Sequence, residues 1–196
     1  MNESDSSVAP PPRPPTSSGA SSPRVVLIGP PGSGKTTVGR LLANRWGIDL
    51  LDTDQEIERA TGRSVSDLFV EEGEPHFREL ERAAVAAALS TCAGVVALGA
   101  GAVLSDQTRD LLRSARVVHL EVGLAAAMRR LEMNRSRPLL IGNVRGRWQQ
   151  LADERRPLYT EVAAVTVTTD DRTAQQVSDA IVSALGELAP AEEAQP

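Results

Sequence analysis

Gly29-Pro30-Pro31-Gly32-Ser33-Gly34-Lys35-Thr36 fits G-x-x-x-x-G-K-[ST], and the chain on either side supplies what that motif needs. Just before it, Arg24-Val25-Val26-Leu27-Ile28 is a short apolar, largely β-branched run that reads as a buried strand. After it Val38, Leu41, Leu42 and Trp46 recur at helical spacing, so the loop joins a strand to a helix. Glycines let the backbone bend back and turn N–H groups toward an anion, and the helix N-terminus adds partial positive charge. Lys35 can reach the β- and γ-phosphates of a nucleotide, and Thr36 can offer its hydroxyl to Mg2+. The candidate nucleotide contacts are Gly32, Ser33, Gly34, Lys35, Thr36 and Thr37.

Composition bounds what surrounds this loop. A chain of 196 residues is one domain with tails, and with 41% hydrophobic but 3% aromatic residues its core must be built from Leu, Val, Ile and Ala. So few aromatics leave no stacking surface for nucleic acid. A net charge of -5 also argues against a polyanionic partner, so any phosphate or carboxylate must be held by a local cluster of Arg and Lys. No apolar run approaches the roughly 18 residues of a membrane helix. The single cysteine, Cys92, excludes an internal disulfide and reads as a small buried residue in a reducing compartment. The expectation is a cytoplasmic monomer acting on small molecules.

Residues 1–22 are rich in Ser, Pro, Ala and Gly and read as a disordered arm, as does the Ala-, Pro- and Glu-containing tail at 189–196. Between them, residues 23–188 form the expected domain, in which apolar runs alternate with helical patterns. After the first helix stops near Gly47, strands are expected at Ile48–Asp52, Val95–Leu98, Val117–Leu120 and Val165–Thr168, with helices through Ser90. That alternation means an α/β fold, a parallel sheet with helices on both faces. Ligands of such sheets bind outside the carboxyl ends of the strands.

The second strand ends in Asp52-Thr53-Asp54. Alternation along an extended chain would point both carboxylates to one side, beside the phosphate loop. One could then help hold hydrated Mg2+ while the other accepts a proton from an acceptor hydroxyl; a helix N-cap plus a solvated acid is the structural alternative. The third strand ends in Gly99-Ala100-Gly101, a turn that offers backbone N–H groups.

These segments resemble the shikimate kinases, small P-loop enzymes akin to the nucleoside-monophosphate kinases. The resemblance spans about residues 24–185 and rests on the phosphate loop, Asp52-Thr53-Asp54, Phe77-Arg78, the turn Gly99 to Val103, Arg137-Pro138-Leu139-Leu140 and Arg155-Arg156-Pro157-Leu158-Tyr159. It implies a five-stranded parallel sheet of the P-loop NTPase type and ATP-dependent phosphorylation of the 3-hydroxyl of shikimate, with Mg2+. It further implies that Asp54 grips the substrate hydroxyls and serves as base, and that Arg78 and Arg155 hold the carboxylate beside Gly99, Ala100 and Gly101. Asp52 and Thr36 are the expected Mg2+ ligands, and Arg130 and Arg172 would flank the adenine. Arg137 falls in a segment, 133–147, with Pro138, Gly142 and Gly146 but no periodicity, which reads as a mobile lid that closes to exclude water.

Shikimate carries one carboxylate and three hydroxyls, so guanidinium forks and an acceptor for hydroxyl protons are what its chemistry asks for. Each arginine has an alternative: an ion pair among Glu72, Glu74, Glu79 and Glu81 for Arg78, and a solvated helix face in Asp153-Glu154-Arg155-Arg156 for Arg155. Ala100 replaces the middle of the three glycines usual in this family. A negative φ at Ala100 is expected, with Gly99 and Gly101 free to take any left-handed conformation. His76 and His119 read as satisfied structural histidines, and Trp46 and Trp148 as packing the ends of helices. A gluconate-type kinase and a non-catalytic nucleotide-binding protein are the rival readings. No Asn-Lys-x-Asp tetrapeptide supports a GTPase.

Overall fold

All four residues of β1 (Val25–Ile28) are buried, as an unbroken run of Val, Leu and Ile requires of a strand covered on both faces. The computed structural model describes residues 23–133 and 143–186. Around β1 lie β2 (Leu50–Asp52), β3 (Val95–Ala97), β4 (Val117–Glu121) and β5 (Val165–Thr168), in the order β2-β3-β1-β4-β5. Every pairing is parallel, with Val26 opposite Val96 on one side and Val117 on the other. This is the five-stranded sheet the alternation of apolar runs and helices implies. β2 starts two residues later than expected because Ile48 N–H donates to Ala43 O at 3.0 Å, closing the preceding helix through Gly47 at φ 62°.

Helices α1 (Lys35–Trp46) and α8 (Ala174–Ala184) cover one face, packing Val38, Leu42, Val177 and Ile181 on Leu27, Val118 and Leu120. The other face carries α4 (Gly73–Thr91), α5 (Asp106–Leu112) and α7 (Val144–Val162), which bury Val85, Leu112, Tyr159 and Val162 against Val26, Ile28 and Val96. Two short helices, α2 (Thr53–Thr61) and α3 (Val65–Glu71), dock on α4 through Ile57, Leu68 and Phe77. Helix α6 (Leu124–Met133) packs on α7 around Trp148. Because the chain runs from β1 to β2 at one edge and later crosses from β3 to β4 on the other side of β1, the crevice of a switch point opens at the end of β1, where the phosphate loop stands.

The expected lid needs correction at both ends. Met133 closes α6, and Val144 to Arg147 are the first turn of α7, with Asn143 Oδ1 accepting from Gly146 N at 3.0 Å as its cap. The rest of that segment, with Arg137, lies outside the described residues. Among the described residues no helix is long and apolar enough to cross a membrane.

Candidate functional site

Two adjoining cavities open at the carboxyl end of the sheet. The larger, of about 560 Å3, is lined by Gly32 to Thr37, Asp52, Asp54, Arg130 and Arg172. Its floor is the phosphate loop, with Gly29, Gly32 and Gly34 all at positive φ. Side chains take up the loop's carbonyls. Lys35 Nζ donates to Gly29 O (2.8 Å) and Pro30 O (3.2 Å), Trp148 Nε1 to Pro31 O (3.0 Å) and Arg130 Nη1 to Gly32 O (3.2 Å). The loop's shape is therefore held before any ligand arrives. Ser33 is buried, which leaves its backbone rather than its hydroxyl to meet an anion.

Asp52 and Asp54 both line this cavity, but not by strand alternation. Helix α2 begins at Thr53, so Asp54 sits in its first turn and Asp52 is the N-cap, its Oδ1 accepting from Asp54 N (3.1 Å) and Gln55 N (3.4 Å). The strong capping preference of Asp overrides the extended pattern. Asp52 Oδ2 remains in the cavity and accepts from Thr36 Oγ1 at 2.6 Å, so capping and ligand-facing roles coexist in one side chain. Thr53, fully buried, accepts from Gly99 N at 3.0 Å and ties this turn to the end of β3.

The second cavity is lined by Asp54, Arg78, Glu81, Ala100, Gly101 and Arg155, with walls of Phe69, Phe77, Leu131, Leu151, Trp148 and Pro31. Arg78 makes the ion pairs its neighbours suggest, yet its side chain is largely buried. Nη1 donates to Glu81 at 2.6 Å, while Nε (3.1 Å) and Nη2 (2.8 Å) share one oxygen of Glu74. Its cation also lies 5.7 and 5.6 Å from the ring centres of Phe69 and Phe77. Arg155 is not on a solvated helix face. It is 9% exposed, its Nη1 donates to Ala100 O at 3.2 Å, and its buried Nε has no acceptor among the described residues. Tyr159 donates its hydroxyl to the same carbonyl at 2.7 Å. Burial pushes the Tyr159 hydroxyl well above its ordinary pKa, so it remains a donor.

Gly99 and Gly101, though free to take a left-handed conformation, do not use it; both are required for space. A Cβ on Gly99 would lie 2.5 Å from Asp54 Oδ1 and 2.6 Å from Glu81 Oε1, and one on Gly101 would collide with the Arg78 guanidinium. Ala100 also avoids positive φ, as expected, so its methyl causes no backbone strain.

The family model described as shikimate kinase matches residues 31–186. The shikimate kinase of Thermobifida fusca is 54% identical over 166 residues, covering 85% of this chain and 96% of that protein. That of Salinispora tropica is 52% identical over 163 residues, covering 83% and 98%. The chain belongs to the shikimate kinase family. With the family goes its reaction, ATP-dependent phosphorylation of the 3-hydroxyl of shikimate. The structure of shikimate kinase from Acinetobacter baumannii in complex with shikimate superposes with a TM-score of 0.80 at 36% identity, over 85% of this chain and 94% of that one. A gluconokinase from Sinorhizobium meliloti, with a TM-score of 0.54 and 19% identity, shares the fold alone.

Within this kinase, several residues around the cavities escape a reading by pattern. Glu81 is 3% exposed; burial pushes its carboxyl upward, against the pull of Arg78. Its i,i+3 spacing from Arg78 is the signal that could have marked it. Both phenylalanines of the chain and one of its two tryptophans line the second cavity, so the rarity of aromatics was itself a pointer. Trp148 does more than pack a helix end, because its indole N–H reaches the phosphate loop. His119 is buried but not satisfied: its Nδ1 has no partner among the described residues, and its ring stacks on Tyr159 at 4.9 Å. Arg130 donates to Thr169 Oγ1 (2.9 Å) and Thr169 O (2.7 Å) as well as to the loop, so it is a structural tie before it is a nucleotide contact.

Proposed function

We propose that the larger cavity takes ATP and the second takes shikimate, with Asp54, which lines both, as the group that receives the proton of the 3-hydroxyl. That shared position is the observation that carries the reading. A base must touch the acceptor oxygen while that oxygen faces the γ-phosphorus. As the oxygen–phosphorus bond forms, the hydroxyl proton passes to the Asp54 carboxylate and the bond to the β–γ bridging oxygen breaks, releasing ADP. Lys35, which lines the nucleotide cavity, meets the β- and γ-phosphates; Gly32, Ser33, Gly34, Thr36 and Thr37 frame them. Arg78 and Arg155 hold the carboxylate of shikimate, and Ala100 and Gly101, which line the second cavity, let the substrate approach the backbone; Gly99, which lines neither cavity, makes room for Asp54 and Glu81. Arg155 enters this role with a buried Nε that lacks an acceptor among the described residues. In the same reading Arg172 contacts the adenine end, and Arg137, outside the described residues, meets the charge between donor and acceptor.

The residues present fit a hard cation. Thr36 Oγ1 and Asp52 Oδ2, 2.6 Å apart, are oxygen donors beside the phosphate loop and would hold hydrated Mg2+. No group of three His, Cys, Asp or Glu able to hold a metal lies among the described residues, which suits an ion that relies on nucleotide phosphates and water for its remaining ligands. When bound, the ion would neutralise charge on the phosphates. The lone cysteine suits a reducing cytoplasm.

A coupled ADP-release assay with ATP and shikimate, gluconate or no acceptor tests the reading. Turnover is expected with shikimate alone. Equal turnover with gluconate, or ATP hydrolysis indifferent to the acceptor, would overturn it.

A further inference from the structure

Trp148 stands between the two cavities and touches both systems. Its indole is 2% exposed, packed among Ala126, Ala127, Met128 and Ala152, and it forms part of the wall of the second cavity together with Pro31. At the same time its Nε1–H donates to Pro31 O at 3.0 Å. Pro31 belongs to the phosphate loop, and its carbonyl shares a peptide plane with the N–H of Gly32, a residue of the nucleotide cavity. Trp148 and Arg155 lie seven residues apart on α7, two helical turns and hence one face. Whatever fixes Trp148 along its axis therefore fixes Arg155, whose guanidinium sits on Ala100 O in the second cavity.

We infer that Trp148 is a positioning residue that couples occupancy of the nucleotide cavity to affinity in the acceptor cavity, through its hydrogen bond to Pro31. The inference rests on the assignment of the two cavities made above. Phosphate binding to the loop polarises and immobilises the Pro31–Gly32 peptide, which strengthens its carbonyl as an acceptor for the indole. Trp148 then holds α7, and with it Arg155, in the register that receives a carboxylate. Linkage makes the effect reciprocal: a carboxylate bound to Arg155 favours the loop conformation that binds phosphate. Arg130, which donates to the neighbouring carbonyl of Gly32 from α6, does not line the second cavity and has no such reach.

The test is calorimetric titration of shikimate into the full-length protein, with and without saturating Mg·ADP, which has no γ-phosphate to touch the acceptor. In the wild type, Mg·ADP is expected to tighten shikimate binding by about fivefold or more, the lower end of ordinary coupling. Trp148→Phe keeps an aromatic ring and removes the donor. Its coupling factor is expected to fall below about twofold, with the affinity for each ligand alone changed by less than about threefold, a pattern that general loosening of the fold does not give. A wild-type factor near one, or a variant that keeps the wild-type factor, overturns the inference while leaving the cavity assignment in place. Absence of shikimate binding to the wild type overturns both. Should Trp148→Phe fail to fold, Trp46→Phe leaves Trp148 as the only tryptophan. Its emission must then change on addition of Mg·ADP and again on addition of shikimate. Emission indifferent to Mg·ADP overturns the inference.

Discussion

Gly99→Ala tests whether two carboxylates must stand where the structure puts them. The new methyl would lie 2.5 Å from Asp54 Oδ1 and 2.6 Å from Glu81 Oε1, whereas a carbon and an oxygen rest about 3.3 Å apart. Each oxygen must retreat by about 0.7 Å. Glu81 has little room to move, because it is buried and bound to Arg78 at 2.6 Å, so much of the shift falls on Asp54. A base displaced by a large fraction of 1 Å loses on the order of 10- to 100-fold in kcat/KM, about 1.4–2.8 kcal/mol of transition-state stabilisation. The backbone accepts alanine, since Gly99 is not left-handed, and reduced freedom of the unfolded chain returns about 0.4–1 kcal/mol against an overpacking cost of about 1–3 kcal/mol. Steady-state kinetics with shikimate varied should show that fall in kcat/KM in a variant that a thermal melt finds still folded, with a net stability loss of no more than about 2.6 kcal/mol. A variant with kcat/KM within threefold of wild type would refute the placement of Asp54 as base.

Ala100→Gly should leave KM for shikimate within about twofold and cost up to about 1 kcal/mol of stability in a urea titration, because Ala100 already has an ordinary φ; a several-fold gain in kcat/KM would mean the methyl obstructs the substrate. Lys35→Met should abolish ADP release, and since Nζ also ties Gly29 O and Pro30 O it should loosen the loop by about 1 kcal/mol; near-normal turnover would contradict the phosphate role. Burial pushes His119 down to about 4, so the folded protein holds it neutral while the unfolded chain protonates it near 6.5. Stability from this group is complete above pH 6.5 and is lost as pH falls toward 4, by about 2 kcal/mol between pH 7.5 and 5. His119→Phe, which can keep the stack on Tyr159, should remove that loss; equal acid sensitivity of variant and wild type in urea titrations would contradict the buried neutral state.

What could be read from the chain divides by the range of the interactions involved. The strand, loop and helix around Lys35 are consecutive, so spacing alone placed them, and the parallel sheet followed from the alternation of apolar runs with helical patterns. Asp52 and Asp54 were located but for the wrong reason: a period of two was assumed where a capping aspartate had already begun a helix. Arg155 shows the opposite limit. In its run of Asp, Glu and Arg it looks like solvated surface, and only the packing of α7 over Ala100 buries it. Trp148 and Tyr159 act across the fold, on Pro31 and Ala100, and leave no trace in local spacing, whereas Glu81, three residues from Arg78 on α4, does.

The two arginines of the second cavity, proposed to meet one carboxylate, are each already held. Arg78 gives one of its N–H groups to the buried Glu81 and two to Glu74, and Arg155 gives one to Ala100 O. A guanidinium carries five N–H donors in a fixed plane, so each keeps donors in reserve while its orientation is set. Ordering a long side chain at the moment of binding costs about 0.5–1.5 kcal/mol, and here that cost is met on folding instead. Glu81 is therefore an anchor rather than a competitor: without it Glu74, which is 59% exposed, would be the one carboxylate on Arg78 among the described residues and would draw it toward solvent. At the opposite end the backbone of Asp54 is fixed by the Asp52 cap, and Thr53 ties the same turn to Gly99. In the proposed reading these two ends bind the carboxylate and accept the proton, so the cavity measures the separation of those groups in its ligand. A ring holds that separation without cost, whereas an open-chain polyhydroxy acid must give up rotatable bonds to reach it, which is the physical ground for expecting shikimate rather than gluconate to be the acceptor.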